Sequence, residues 1–226
     1  MILEKLSELR RKAKNAAQRR DRDPSKIEIV AVVKNARLED VRALLDSGQV
    51  RYFGESRIQD AKKRRLELGA GAAKARWRFI GHLQSNKARA AAELFDAIDT
   101  VDSLRIAEAL DAQIVEGVRK NVLVQIKLTD RESQSGVLPV ELDDFLDRLR
   151  GYRKLVPCGM LALLPMIEPV EDVRPYCRRC RELFDRHFPE GSAPERYLSA
   201  GMSRDFEIAV EEGANLLRIG TALFGN

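Results

Sequence analysis

Short apolar runs alternate with longer amphipathic stretches along almost the whole chain. Eight of the runs read as strands, at 27–33, 51–54, 77–81, 95–100, 122–127, 155–164, 196–200 and 215–219. The stretches between them have helical character, among them 38–47, 56–68, 86–93, 103–118 and 140–149. Within 103–118, Leu104, Ala107, Leu110, Ile114 and Val118 recur at helical spacing and predict one buried stripe. Gly48 follows Leu45 closely, where a helix stop is expected, and Asp102 or Ser103 is positioned to cap the next helix. Runs such as I-E-I-V-A-V-V and N-V-L-V-Q-I are continuous rather than alternating, the pattern of parallel strands covered by helices.

The strand–helix unit repeats about every 28 residues, which matches an eight-stranded (β/α) barrel. An extra helix over 3–17 precedes the first strand. A doubly wound open sheet is the structural alternative, because connectivity alone does not show whether a sheet closes. The 226 residues suffice for one well-packed core, and no Pro/Gly/Ser-rich linker interrupts them, so residues 1–226 read as a single domain.

Composition adds exclusions. With 44% hydrophobic and 33% charged residues the chain is globular rather than disordered. The basic N-terminal stretch has no apolar signal-peptide core, and the most apolar window, 155–167, is too short to span a bilayer. Three cysteines (Cys158, Cys177, Cys180) cannot all pair, which suits a reduced, cytoplasmic protein. No large apolar surface stripe is evident, so a monomer is expected. The net charge of +5 and the run Lys62–Lys63–Arg64–Arg65 raise nucleic-acid binding as a possibility. Acidic residues are interspersed and aromatic platforms are missing from the basic clusters, so a solvated helix face is the better reading.

In a barrel of this kind reactive groups gather just past the C-terminal ends of the strands. There the chain offers Lys34 after the first run, Ser56 after the second and His82 after the third. The seventh leads to Gly201–Met202–Ser203, and the eighth contains Arg218 and leads to Gly220 and Thr221. A lysine leaving bulk water at a strand end favours the neutral, nucleophilic amine that an aldehyde cofactor requires. Taken alone, a lysine after a strand is more often an exposed terminal charge. Ser203 at the start of a helix over 205–212, with the N–H groups and hydroxyl of Gly220–Thr221, makes a phosphate site in the loops where such barrels commonly carry one. The plainer alternatives are an N-cap at Ser203 and a tight turn at Gly220. For His82 a structural turn histidine competes with packing on, or a hydrogen bond to, a cofactor ring.

The segments F-G-E-S-R-I-Q-D (53–60), F-I-G-H-L-Q-S-N-K (79–87), V-D-S-L-R (101–105), L-S-A-G-M-S-R-D-F-E (198–207) and R-I-G-T-A-L-F-G (218–225) together resemble the pyridoxal phosphate homeostasis protein family. The resemblance implies an alanine-racemase-type (β/α)8 barrel without the racemase's second, β-rich domain. It implies pyridoxal 5′-phosphate (PLP) bound as a Schiff base on Lys34, with Ser203, Gly220 and Thr221 at its phosphate. Arg218 would lie near the pyridine nitrogen and Ser56 near the ring's phenolic oxygen. Against the family pattern, Ser56 stands where Asn is frequent, Gln134 where Lys is frequent, and Asn35 where Thr is frequent.

An arginine beside the pyridine nitrogen cannot accept a proton, so it disfavours the protonated ring that carbanion chemistry exploits. That suits a carrier that buffers or delivers PLP, in transient contact with PLP-dependent apo-enzymes and with no turnover of its own, though a racemase can also work with such an arginine. A racemase-like PLP enzyme is the alternative. It needs a second acid/base, and none of Tyr52, Tyr152, Tyr176 and Tyr197 sits just after a predicted strand. The C-x-x-C formed by Cys177 and Cys180 reads as helix packing rather than a redox or zinc site, since zinc would need two more ligands. Trp77 and Phe79 read as core.

Overall fold

The computed structural model describes residues 1–129 and 134–225. Each of the eight apolar runs forms a strand: β1 (Glu28–Val32), β2 (Tyr52–Glu55), β3 (Arg76–Phe79), β4 (Ala97–Val101), β5 (Lys120–Ile126), β6 (Leu155–Ala162), β7 (Tyr197–Ser199) and β8 (Leu216–Ile219). All neighbouring pairs are parallel, in sequence order. The last pairs back to the first, with Glu28 opposite Leu216 and Ala31 opposite Ile219. This closure removes the open-sheet alternative.

The helices are α1 (Ile2–Gln18), α2 (Leu38–Ser47), α3 (Ile58–Leu68), α4 (Ala88–Leu94), α5 (Leu104–Gln113), α6 (Leu142–Leu149), α7 (Arg174–His187), α8 (Phe206–Glu211) and α9 (Thr221–Phe224). α2 buries Val41, Leu44 and Leu45, one face at helical spacing. It stops at Gly48, whose left-handed φ of 63° lets its N–H reach the Leu45 carbonyl at 3.2 Å. α1 is the extra helix. It buries Leu6, Leu9, Ala13, Ala16 and Ala17 against α2, α8 and α9, filling the outer ring where first and last strands meet. No helix among the described residues is long and apolar enough to cross a membrane.

α5 is shorter than expected. It ends at Gln113; Ile114 is buried as the cap, but Val118 is 46% exposed beyond a turn at Gly117 with φ of 78°. The basic run on α3 also divides. Lys62 and Lys63 are exposed, whereas Arg64 and Arg65 turn inward to backbone carbonyls.

The core has two parts. The larger lies between sheet and helices and includes Trp77, whose indole N–H donates to the Ala72 carbonyl at 2.9 Å, and Phe79. The smaller fills the barrel with Val30, Tyr52, Leu123, Cys158, Leu161, Tyr197 and Leu216. Polar side chains cross this interior. Arg78 donates twice to Asp99, at 2.8 and 2.7 Å, and lies over the Tyr52 and Tyr197 rings at 5.0 and 5.2 Å. The two tyrosine hydroxyls share a hydrogen bond of 2.8 Å. Burial opposes the charge on Arg78, and Asp99 more than offsets it, so the guanidinium's pKa is raised. Breaking such a buried pair costs about 3–5 kcal/mol, because one charge is then left without compensation.

Candidate functional site

The first strand delivers Lys34 on a four-residue turn. Val33 N–H donates to the Gly54 carbonyl at 3.0 Å, which ends the pairing with β2. Ala36 N–H then closes back on the Val33 carbonyl at 2.9 Å, leaving Lys34 and Asn35 as the central pair. Asn35 has φ of 63°, a left-handed conformation that asparagine tolerates far better than a β-branched residue. Lys34 itself is exposed, which corrects the expectation that it leaves bulk water. It stands two residues beyond the end of β1, outside the apolar wall of the strand.

β8, the neighbour of β1, carries Arg218. The side chain is buried and donates to the Ser199 carbonyl at 2.9 Å, the Ser199 hydroxyl at 2.7 Å and the Ala162 carbonyl at 2.8 Å. Its partners are neutral oxygens, and burial pushes its pKa down to about 10 against the opposing charges of Asp99 and Asp205. Arg218 N–H also donates to the Gly201 carbonyl at 3.1 Å. Gly201 has φ of 89°, and a Cβ there would stand 2.8 Å from that of Ala209, so only glycine makes this turn.

The loops after β7 and β8 are joined. Ser203 Oγ accepts the Ala222 N–H at 3.0 Å, while Asp205 Oδ1 accepts the Met202 N–H at 2.6 Å. α8 therefore begins at Phe206, and Ser203 is not its N-cap but a cross-link between loops. Gly220 caps α9, and its carbonyl accepts from Leu223 and Phe224 at 3.0 and 2.9 Å. Thr221 is exposed, and a Cβ on Gly220 would stand 3.5 Å from that of Val32, just before the Lys34 turn. Lys34, Ser203, Gly220 and Thr221 thus meet at one mouth of the barrel.

Ser56 and His82 lie further round the same rim and share a cleft of about 280 Å³. Gly81 lets the loops touch: a Cβ there would lie 2.0 Å from the Ser56 carbonyl. His82 is 63% exposed, with Nδ1 3.4 Å from Asp102 and from the Ser135 hydroxyl. Gln134 ties its loop down, accepting from Thr129 at 2.6 Å and donating to the Leu163 carbonyl at 3.2 Å; the preceding 131–133 lie outside the described residues.

Sequence reasoning missed several residues here. Ser199 was legible only as a polar residue in a strand otherwise apolar, and the Ala162 and Ala222 backbone groups left no side-chain signal. Of the four tyrosines, Tyr152 and Tyr176 pack partly buried against the outer core. Tyr52 and Tyr197 open their strands at the opposite end and are occupied with each other. Cys158, Cys177 and Cys180 are all buried and free. Among the described residues no group of three or more His, Cys, Asp or Glu is arranged to hold a metal.

An exposed amine, hydroxyl and backbone donors around two linked loops, and a buried guanidinium without a carboxylate partner fit a phosphorylated, aldehyde-bearing heterocycle. The barrel is of the alanine racemase N-terminal domain class, whose family model matches residues 5–226. An alanine racemase of Clostridium difficile 630 shares the fold, with a TM-score of 0.72 at 17% identity over all of this chain and 56% of that one. Within this class the chain belongs to the pyridoxal phosphate homeostasis protein family. It is 36% identical to the Escherichia coli K12 member over 99% of this chain and 96% of that protein. PipY of Synechococcus elongatus PCC7942, solved with PLP bound, superposes with a TM-score of 0.84 and 32% identity, covering both chains fully.

Proposed function

We propose that this chain binds PLP as a Schiff base on Lys34 and serves in cytoplasmic PLP homeostasis, buffering or delivering the cofactor without turning over a substrate. The observation that carries the reading is the adjacency, at one barrel mouth, of the Lys34 turn on β1 and the linked loops that follow β7 and β8. PipY, with PLP bound, supports it.

PLP supplies an aldehyde. With PLP bound, Lys34 Nζ would be the amine that condenses with this aldehyde, releasing one water with no change of oxidation state. Ser203, Gly220 and Thr221 hold the phosphate through hydroxyl and backbone donors, with Met202 shaping the loop. Ser56 reaches toward the phenolic oxygen, and His82 borders the ring. Arg218 would offer its guanidinium to the pyridine nitrogen as a donor, which would disfavour protonation of the ring.

One further observation favours a carrier over a racemase-like enzyme. Tyr52 and Tyr197, the tyrosines within the barrel, are buried at the far end, and burial raises the pKa of both. Arg218 suits a carrier but does not discriminate, since a racemase can also work with such an arginine. A monomer that meets its recipient apo-enzymes transiently is the expected state. The inward turn of Arg64 and Arg65 weakens any nucleic-acid reading.

The test is an absorption spectrum of the protein with added PLP, for wild type and Lys34→Ala, before and after borohydride. A visible band that borohydride fixes covalently in wild type alone is the expected result. A band indifferent to Lys34 would overturn the reading. A loss of chirality in added amino acids would favour the racemase.

A further inference from the structure

The basic run on α3 contains a residue whose role neither charge nor helix packing explains. Arg64 reaches from α3 to the underside of the Lys34 turn. Its Nη2 donates to the Val33 carbonyl at 3.0 Å and its Nη1 to the Ala36 carbonyl at 3.1 Å. Val33 and Ala36 are the first and last residues of that turn, already joined by the 2.9 Å bond from Ala36 N–H to Val33 carbonyl. One planar guanidinium therefore grips both ends of the short segment on which Lys34 rides.

Glu55 stands nearby, at the end of β2 and fully buried. Its Oε1 accepts the N–H groups of Ser56 and Arg57 at 2.8 and 3.4 Å, while its Oε2 and the Arg64 Nε are buried without hydrogen-bond partners among the described residues. Burial raises the Glu55 pKa, and the Arg64 charge acts in the opposite direction. A surface ion pair has no such arrangement. The guanidinium feels the Glu55 charge without a hydrogen bond to it and is directed at the two carbonyls of the turn.

We propose that Arg64 is a positioning residue for Lys34: it fixes the turn from below so that Nζ is presented to the cofactor aldehyde above the linked phosphate loops. Lys34 is exposed and lacks a wall of its own, so the turn's geometry decides where the amine stands. Lysine at position 64 keeps a charge but not the rigid fork, and cannot hold both carbonyls in the same way.

The inference rests on the Lys34 reading, and the test separates the two. PLP affinity is measured by spectral titration for wild type, Arg64→Met, Arg64→Lys, Lys34→Ala and the Lys34→Ala/Arg64→Met double variant, with the borohydride-fixed fraction in each. Arg64→Met is expected to weaken the Lys34-dependent complex about tenfold, the scale of losing charge-assisted hydrogen bonds. Arg64→Lys should recover part of that loss. In the Lys34→Ala background the same change should shift residual, non-covalent PLP binding by no more than about twofold, because the two residues then act as one unit. Equal losses in both backgrounds would make Arg64 merely structural and overturn the inference, as would no loss in either. Should Arg64→Met fail to fold, Arg64→Lys carries the same comparison, with about threefold expected. A wild-type complex indifferent to Lys34 would instead remove the underlying reading, and the inference with it.

Discussion

The hydroxyl of Ser203 accepts the backbone N–H of Ala222 at 3.0 Å, so a side chain ties the loop after β7 to the one after β8 beyond the end of the sheet. The sheet contributes little at this point: β7 and β8 are joined at a single register pair, Ser199 opposite Leu216. Arg218 adds further ties from beneath, through Ser199 and the Gly201 carbonyl. The proposed phosphate loops are thus ordered by polar contacts that converge on them.

Ser203→Ala removes the hydroxyl and leaves the Ala222 N–H to water, since Ala222 is exposed. Unfolding free energy should change by less than about 1 kcal/mol, the net worth of an exposed hydrogen bond. Affinity for PLP should fall about tenfold, with a parallel loss for inorganic phosphate. Denaturant midpoints and a spectral titration check both halves. A large loss of stability with unaltered binding would assign Ser203 to the scaffold alone.

The buried carboxyl of Glu55 predicts a pH signature. Burial raises its pKa in the folded state, so the folded protein holds the proton more tightly than the unfolded chain. Its contribution is fully present below the ordinary carboxyl range and is lost as pH rises through the raised folded value. Glu55→Gln has no such titration. The stability of Glu55→Gln relative to wild type should therefore increase from about pH 4.5 toward neutrality. Urea midpoints of the two proteins across that interval measure the difference. A gap independent of pH would show that Glu55 does not titrate there.

Gly81→Ala would put a Cβ 2.0 Å from the Ser56 carbonyl, far inside contact distance, with backbone rather than a yielding side chain opposite. Overpacking of this kind typically costs about 1–3 kcal/mol. The strain falls on the loops bearing Ser56 and His82, so the thermal midpoint and PLP affinity should fall together. Unaltered affinity in a destabilised variant would detach those two residues from the cofactor.

Most of this fold was legible because closure leaves a strong mark on sequence: a parallel strand covered on both faces becomes a continuous apolar run. All eight candidate runs, several of them continuous, form strands, and Gly48 stops its helix where expected. α5 was overextended because Ile114 and Val118 keep the helical spacing while Gly117 turns the chain between them. The rim was read from residue type and position past each strand, which located Lys34, Ser203 and Gly220 but not their surroundings. Lys34 proved exposed because a turn carries it beyond the strand, and Ser203 bonds across to Ala222 instead of capping α8. Arg64 was hidden among like charges: nothing in K-K-R-R distinguishes a guanidinium that turns under the barrel from one in water.

The C-x-x-C of α7 makes a last prediction. Cys177 and Cys180 face inward, and Cys158 lies inside the barrel, with Sγ 3.5 Å from the Val122 carbonyl. Burial pushes the thiols of Cys158 and Cys177 up to about 12, and raises that of Cys180 as well. At pH 8 only about one molecule in ten thousand would then carry a given thiolate, and the thiolate is the species that reacts. Native protein should give no rapid reaction with a disulfide reagent such as DTNB, whereas the denatured chain should release three equivalents, one for each free cysteine. Oxidation of the native protein should likewise leave PLP binding unaltered. A fast native thiol, or a Cys177–Cys180 disulfide that alters the cofactor spectrum, would instead give the motif a redox role.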